Sequence, residues 1–147
     1  MPTREQELAK DPLRDFHVWW LDACEADVTD LEQRLESAKR EEDLQEYLEQ
    51  RPMSLVQHLG GGHGRYVIPR KRLGAEHVTD FVIGHRHSGG SEWQAVELES
   101  PKSKMFTKAG DPTKELTHAI RQITDCAHGC SGIRTMRHAR LRNPVSG

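Results

Sequence analysis

Cysteine is scarce in this 147-residue chain, with only Cys24, Cys126 and Cys130 present. Three thiols cannot build a disulfide framework, so a reducing, cytoplasmic setting is expected. Long apolar runs are absent too. The richest is Val18-Trp19-Trp20-Leu21, far short of the roughly 20 residues a membrane helix needs. Met1-Pro2-Thr3-Arg4-Glu5-Gln6 lacks the apolar stretch of a secretory signal. No internal repeat is visible. Hydrophobic residues make up 35% and charged residues 30%, which argues for one domain with a modest core rather than several thick ones. Membrane-spanning, collagenous and disulfide-stapled classes are excluded.

Several chemical signatures are also missing. Gly60-Gly61-Gly62-His63-Gly64 has four glycines in five residues. It lacks the Lys and Ser/Thr of a phosphate-binding loop and reads as a flexible turn before a strand. Cys126, His128 and Cys130, with His118 upstream, offer soft ligands for zinc. They lack the tight CxxC spacing and a second pair, so two adventitious thiols near a helix end are the simpler reading. No Ser/His/Asp or Cys/His nucleophile signature is present.

What is present is a charge asymmetry. Residues 1–50 hold 15 acids and 6 bases, whereas residues 51–147 hold 8 acids, 15 bases and eight of the nine histidines. A basic segment suits a polyanion. An unevenly charged solvated surface, or an acidic arm folded onto a basic face, accounts for the same counts. Arg70-Lys71-Arg72 suits a phosphate contact or an exposed turn, and His85-Arg86-His87 reads as a polar turn.

Periodicity outlines the elements. Leu31, Leu35 and Ala38, then Leu44, Tyr47 and Leu48, form helical stripes, with Thr29 or Asp30 as a start signal and Pro52 as a stop. Phe16, Trp19, Trp20 and Ala23 would share one helical face. Strands follow at Tyr66–Ile68, stopped by Pro69, at Val78–Ile83, stopped by Gly84, and at Trp93–Glu99, stopped by Pro101. The short links predict an antiparallel meander. A lysine-bearing loop leads to a helix with Asp111 as N-cap and Pro112 at its first position. Leu116, Ala119, Ile120 and Ile123 form its stripe. Residues 131–147 carry four arginines, one histidine and no acid. They read as a poorly specified basic tail with a short strand around Ile133–Met136.

Side chains alternate along a strand. If the second and third strands pair, Asp80 can lie beside Glu97 on one face, and Asp80, Glu97 and Glu99 could converge. Acids within apolar runs are costly unless neutralised. Hard oxygen donors favour Mg2+, Mn2+ or Ca2+. Solvent-facing glutamates on a half-exposed strand are the bland alternative.

Three blocks then carry a resemblance. They are Arg72–Phe81 (RLGAEHVTDF), Val96–Pro101 (VELESP) and Phe106–Ile123 (FTKAGDPTKELTHAIRQI). In order and spacing they resemble the Shedu-type nuclease domain of the PD-(D/E)XK restriction-endonuclease-like superfamily, over roughly residues 41–125. The resemblance implies an α/β restriction-endonuclease-like core of order αβββαβ, its last strand missing if the tail has diverged. It implies three segments: an acidic helical extension at 1–40, the nuclease-like domain at 41–130 and the tail at 131–147. Asp80 and Glu97 would be metal ligands for Mg2+ or Mn2+, assisted by the Leu98 carbonyl, and Gln122 would support the site. Glu46 or Glu49 would supply a helix acid. The substrate would be nucleic acid, DNA for preference, in prokaryotic anti-phage defence. No membrane is involved, and an open sheet edge would permit a homo-oligomer.

Two positions depart from the family pattern. Glu99 stands where the motif lysine belongs, leaving Lys102 or Lys104 to reach in from the loop. Cys126 stands where related nucleases carry a tyrosine. The alternative function is therefore a catalytically degenerate nucleic-acid-binding or scaffold domain.

Overall fold

The computed structural model describes residues 1–18, 23–59, 63–73 and 77–129. It is a mixed α/β fold. Helix α1 (Arg4–Ala9) and a 3-10 turn (Arg14–Phe16) lead into β1 (His17–Val18). Helices α2 (Glu25–Ser37), α3 (Glu41–Gln50) and α4 (Met53–Val56) follow. Strands β2 (Gly64–Leu73), β3 (His77–His87) and β4 (Gly90–Val96) then form the expected antiparallel meander, and α5 (Lys114–Gly129) closes the described chain. The sheet order is β1-β2-β3-β4. Among the described residues, no helix is long and apolar enough to cross a membrane.

The helical stripe of α3 does what its spacing dictates. Leu44, Tyr47 and Leu48 are buried with Val18, Val56, Leu59, Val67, Phe81 and Ile83. Tyr47 Oη donates to Asp30 Oδ2 at 2.9 Å, tying α3 to α2. Phe81 is fully buried at the centre; truncating such a residue to alanine costs about 3–5 kcal/mol. The opposite sheet face packs Ile68, Leu73 and Val82 with Leu13, Trp93 and Ala95.

Element ends differ from the sequence reading, for identifiable reasons. β2 runs through Pro69 because β1 pairs only with Arg65 and Tyr66. By Pro69 the strand is a sheet edge, where a missing N–H costs no ladder bond. Arg70-Lys71-Arg72 is therefore strand rather than turn. β3 runs through Gly84 to His87, so His85-Arg86-His87 is strand as well. Gly84 is required by contact: a Cβ there would lie 2.3 Å from Trp93 Cε3 and 2.7 Å from the Glu92 carbonyl. β4 ends at Val96, short of Glu99.

Helix starts also move. α2 begins at Glu25, not at Thr29 or Asp30; Asp27 accepts the Cys24 amide at 2.9 Å. α5 begins at Lys114, with the Thr113 hydroxyl accepting the Leu116 amide at 3.3 Å. Pro112 is instead held in a bridge with Phe106. Ile120 is exposed, so the α5 stripe is narrower than its spacing suggested. Phe16 closes a 3-10 turn rather than joining a helical face with Ala23; Trp19 and Trp20 lie outside the described residues, as do Gly60–Gly62 and 130–147 with the strand expected near Ile133.

Candidate acidic site at the β3–β4 exit

The registers of β2, β3 and β4 align three charged residues. Extending the β3–β4 register one step past Phe81↔Val96 puts Asp80 opposite Glu97. On the other side, Arg70 stands opposite Asp80, between the Pro69↔Phe81 and Lys71↔Thr79 pairs. Directly opposed residues have Cβ atoms about 5 Å apart. The sequence alternation thus brings Asp80 and Glu97 together as expected.

Local structure holds both carboxylates. The Leu98 amide, released from the ladder after Val96, donates to Asp80 Oδ2 at 2.6 Å. Gln45 on α3 donates from Nε2 to the Asp80 carbonyl at 3.3 Å, fastening the helix above the strand. Thr79, fully buried, donates its hydroxyl to the Val96 carbonyl at 3.1 Å, closing the point where β4 leaves the sheet. The Glu97 side chain is only 3% exposed, and its Oε1 lies 2.8 Å from His77 Nε2.

Electrostatics show the cost of the arrangement. Burial pushes the Asp80 carboxyl above its ordinary value; the Leu98 amide pulls it down, and the charge and hydrogen bond of Glu97 push it up again. Glu41, at the start of α3, is raised as well, first by partial burial and then by Asp80, Glu99 and Glu97. The charges of Asp80, Glu97 and Glu99 therefore all bear on Glu41. Glu99 has His118 Nδ1 3.6 Å from its Oε1, an ion pair only when that imidazole is protonated.

Glu41 is a residue that the sequence reading missed. It lies at i, i+3, i+4 and i+7 spacing with Leu44, Gln45 and Leu48, the buried stripe of α3. A carboxylate on an apolar face at a helix end was the available signal. Glu46 is exposed. Glu49 is engaged elsewhere: its Oε1 accepts Gln45 Nε2 at 2.8 Å and Arg70 Nε at 2.8 Å. Arg70 also donates to Glu42 at 2.7 Å. These two ion pairs hold Arg70 at φ 49, a backbone conformation that costs a non-glycine residue about 1–3 kcal/mol.

The remaining sequence-derived residues lie apart from or beside this cluster. Lys102 Nζ donates to the Glu36 carbonyl at 2.5 Å, at the end of α2. Gln122 lies half-buried on α5, and its Oε1 is a buried acceptor with no hydrogen-bond partner among the described residues. Such orphaned acceptors call for a partner. Of the soft-ligand group, His118 sits at Glu99, while the Cys126 and His128 side chains and Cys130 are outside what is described.

The donor set fits a hard divalent cation. Asp80 and Glu97 offer hard carboxylate oxygens whose mutual repulsion a cation would relieve, with the His77 imidazole already on Glu97. A family model described as Shedu protein SduA, C-terminal, matches residues 38–146. No curated protein and no solved structure matches the chain.

Proposed function

This chain belongs to the Shedu family through its SduA C-terminal region, a family whose role is anti-phage defence, and from that membership we propose that it is a metal-dependent nuclease. The observation that carries the reading is the opposition of Asp80 and Glu97 at the β4 exit, close enough to raise the Glu41 carboxyl electrostatically. The order α3-α4-β2-β3-β4-α5, with α4 a single short turn, supports a restriction-endonuclease-like core. Asp80 and Glu97 would hold Mg2+ or Mn2+, with Glu41 and Glu99 beside them. When bound, the ion polarises a phosphodiester and acidifies a water.

The chain's own residues do the positioning. The Leu98 amide fixes one Asp80 oxygen, leaving the other for the cation. His77 orients Glu97. Gln122 brings an unsatisfied amide oxygen to α5, which packs on β3 and β4. Four carboxylates repel a polyanion, so substrate should approach only once the cation is in place. Exposed basic residues such as Lys71 would hold the phosphate backbone, giving salt-dependent binding.

A second reading has its own observation. Glu99 stands where the motif lysine would belong, and Lys102, which with Lys104 is one of the two loop lysines that would replace it, is hydrogen-bonded to the Glu36 carbonyl. That favours a nucleic-acid-binding or scaffold domain without cleavage. Plasmid and single-strand cleavage in Mg2+ or Mn2+ separates the two. Loss of cleavage in Glu97→Gln supports the nuclease. A folded wild type that binds DNA without cutting it overturns the nuclease in favour of the scaffold.

A further inference from the structure

A second cluster of ligand-bearing side chains lies at the opposite end of the same hairpin. His85 and His87 occupy alternate positions of β3, so their side chains share one sheet face. Glu92 on β4 stands directly across from His85 in the register. His87 Nε2 is 3.4 Å from Glu92 Oε1, and His85 Nε2 is 3.9 Å from Glu92 Oε2. One donor atom from each of the three residues falls within 4.8 Å of the others. The two imidazole rings are 5.4 Å apart. His85 lies five residues along β3 from Asp80, about 17 Å away, so this is a separate place in the fold.

We propose that His85, His87 and Glu92 form a transition-metal site, with Zn2+ as the ion that its chemistry favours. Two neutral imidazoles and one carboxylate are borderline donors, unlike the all-oxygen set at Asp80 and Glu97. Bonds of about 2.0–2.1 Å in a tetrahedral zinc site set donor atoms about 3.4 Å apart. The His87–Glu92 separation already has that value, and the other donors reach it by side-chain rotation on a fixed strand pair. Three protein donors leave the fourth position to water.

The protein satisfies His85 poorly by itself. Its Nδ1 is buried with no hydrogen-bond partner among the described residues, and its Nε2 stands beyond hydrogen-bond length from Glu92. The turn takes part as well. The Gly89 amide donates to His87 Nδ1 at 3.0 Å, which puts the neutral ring's proton on Nε2. Metal binding at Nε2 moves that proton to Nδ1 and releases the Gly89 amide, so the Ser88–Gly89 turn rearranges on binding. Arg65, across from His85 on β2, is the neighbouring cation; it donates through Nη1 to the Val56 carbonyl at 3.1 Å. The site binds the two strands of the hairpin together and does not depend on the nuclease reading.

The test titrates Zn2+ into the full-length, chelator-treated chain against a chromophoric competitor. One equivalent should bind to the wild type. It should persist in Asp80→Asn/Glu97→Gln and in Cys126→Ser/Cys130→Ser. It should weaken by at least about tenfold in His87→Asn and in Glu92→Gln. Both of these side chains are more than a third exposed, so the variants should fold, which melting in chelator checks. Co2+ added to the wild type gives an answer independent of any variant, because a tetrahedral site intensifies its visible bands and imidazole donors shift them from those of an oxygen-only site. No Zn2+ uptake, equal uptake by His87→Asn, loss of uptake in the cysteine or acidic-site variants, or an oxygen-only Co2+ spectrum would each overturn the proposal.

Discussion

The Asp80 carboxylate accepts the Leu98 amide at 2.6 Å, and this bond joins the middle of β3 to the chain leaving β4. It forms because β4 ends at Val96, which frees the next amides from the ladder. The same bond turns one carboxylate oxygen into a structural acceptor.

Glu41 should matter to activity although it lies outside the strand motif. Its carboxyl is raised by the charges of Asp80, Glu99 and Glu97, after partial burial. Glu41→Gln should lower cleavage by about 10–100-fold, the range of residues that support a metal site, while Glu46→Gln should leave it unchanged. Initial rates at saturating Mg2+ check this. Glu99→Lys, which restores the motif, should raise the rate.

The raised Asp80 and Glu41 carboxyls set a sign for pH. Both bind protons more tightly when folded than when unfolded. Stability therefore falls as pH rises from the ordinary carboxylate range, about 4, through their raised values. Asp80→Asn should raise the Tm at pH 7 and change it little at pH 4. Thermal melts in chelator at the two pH values test it, and Mg2+ should raise the wild-type Tm at pH 7 in the same direction.

Asp11 is a buried hub. Its carboxylate accepts Tyr66 Oη at 2.7 Å and forms an ion pair with Arg86. Burial alone would raise its pKa, but the Leu13 amide, Tyr66 and Arg86 together hold it low. Burial and the bond to Asp11 push the Tyr66 hydroxyl up to about 12. Asp11→Ala strands Arg86 against the Tyr66 ring, so it should cost about 3 kcal/mol in denaturant unfolding. Tyr66→Phe should cost less, because the ion pair survives.

Gly84→Ala should destabilise by about 2 kcal/mol or more, as overpacking does. The new methyl meets the Trp93 ring and a backbone carbonyl, neither of which moves freely. In the double variant with Trp93→Ala the alanine at 84 should cost much less, a coupling that a denaturation cycle measures.

Much of this was readable locally. The two-residue period of Val78–Ile83 and Trp93–Glu99 was enough to assign Asp80 and Glu97 to strand faces that could meet, and the observed register then opposes them. The α3 stripe was readable for the same reason. Strand ends were not: Pro69 and Gly84 looked like stops, and whether they are depends on what lies across from them.

The sequence by itself determined the antiparallel meander, the buried face of α3 and the strand faces that Asp80 and Glu97 occupy, since each follows from a period of two or 3.6 within a short window. Only the tertiary structure decided that Glu41 rather than Glu46 or Glu49 joins the acids, that Lys102 turns to Glu36, that Asp11 from the N-terminal segment clamps the sheet, and that His85, His87 and Glu92 meet. Those are contacts between segments, fixed by the orientation of a helix or a hairpin as a rigid body. No local period encodes that orientation.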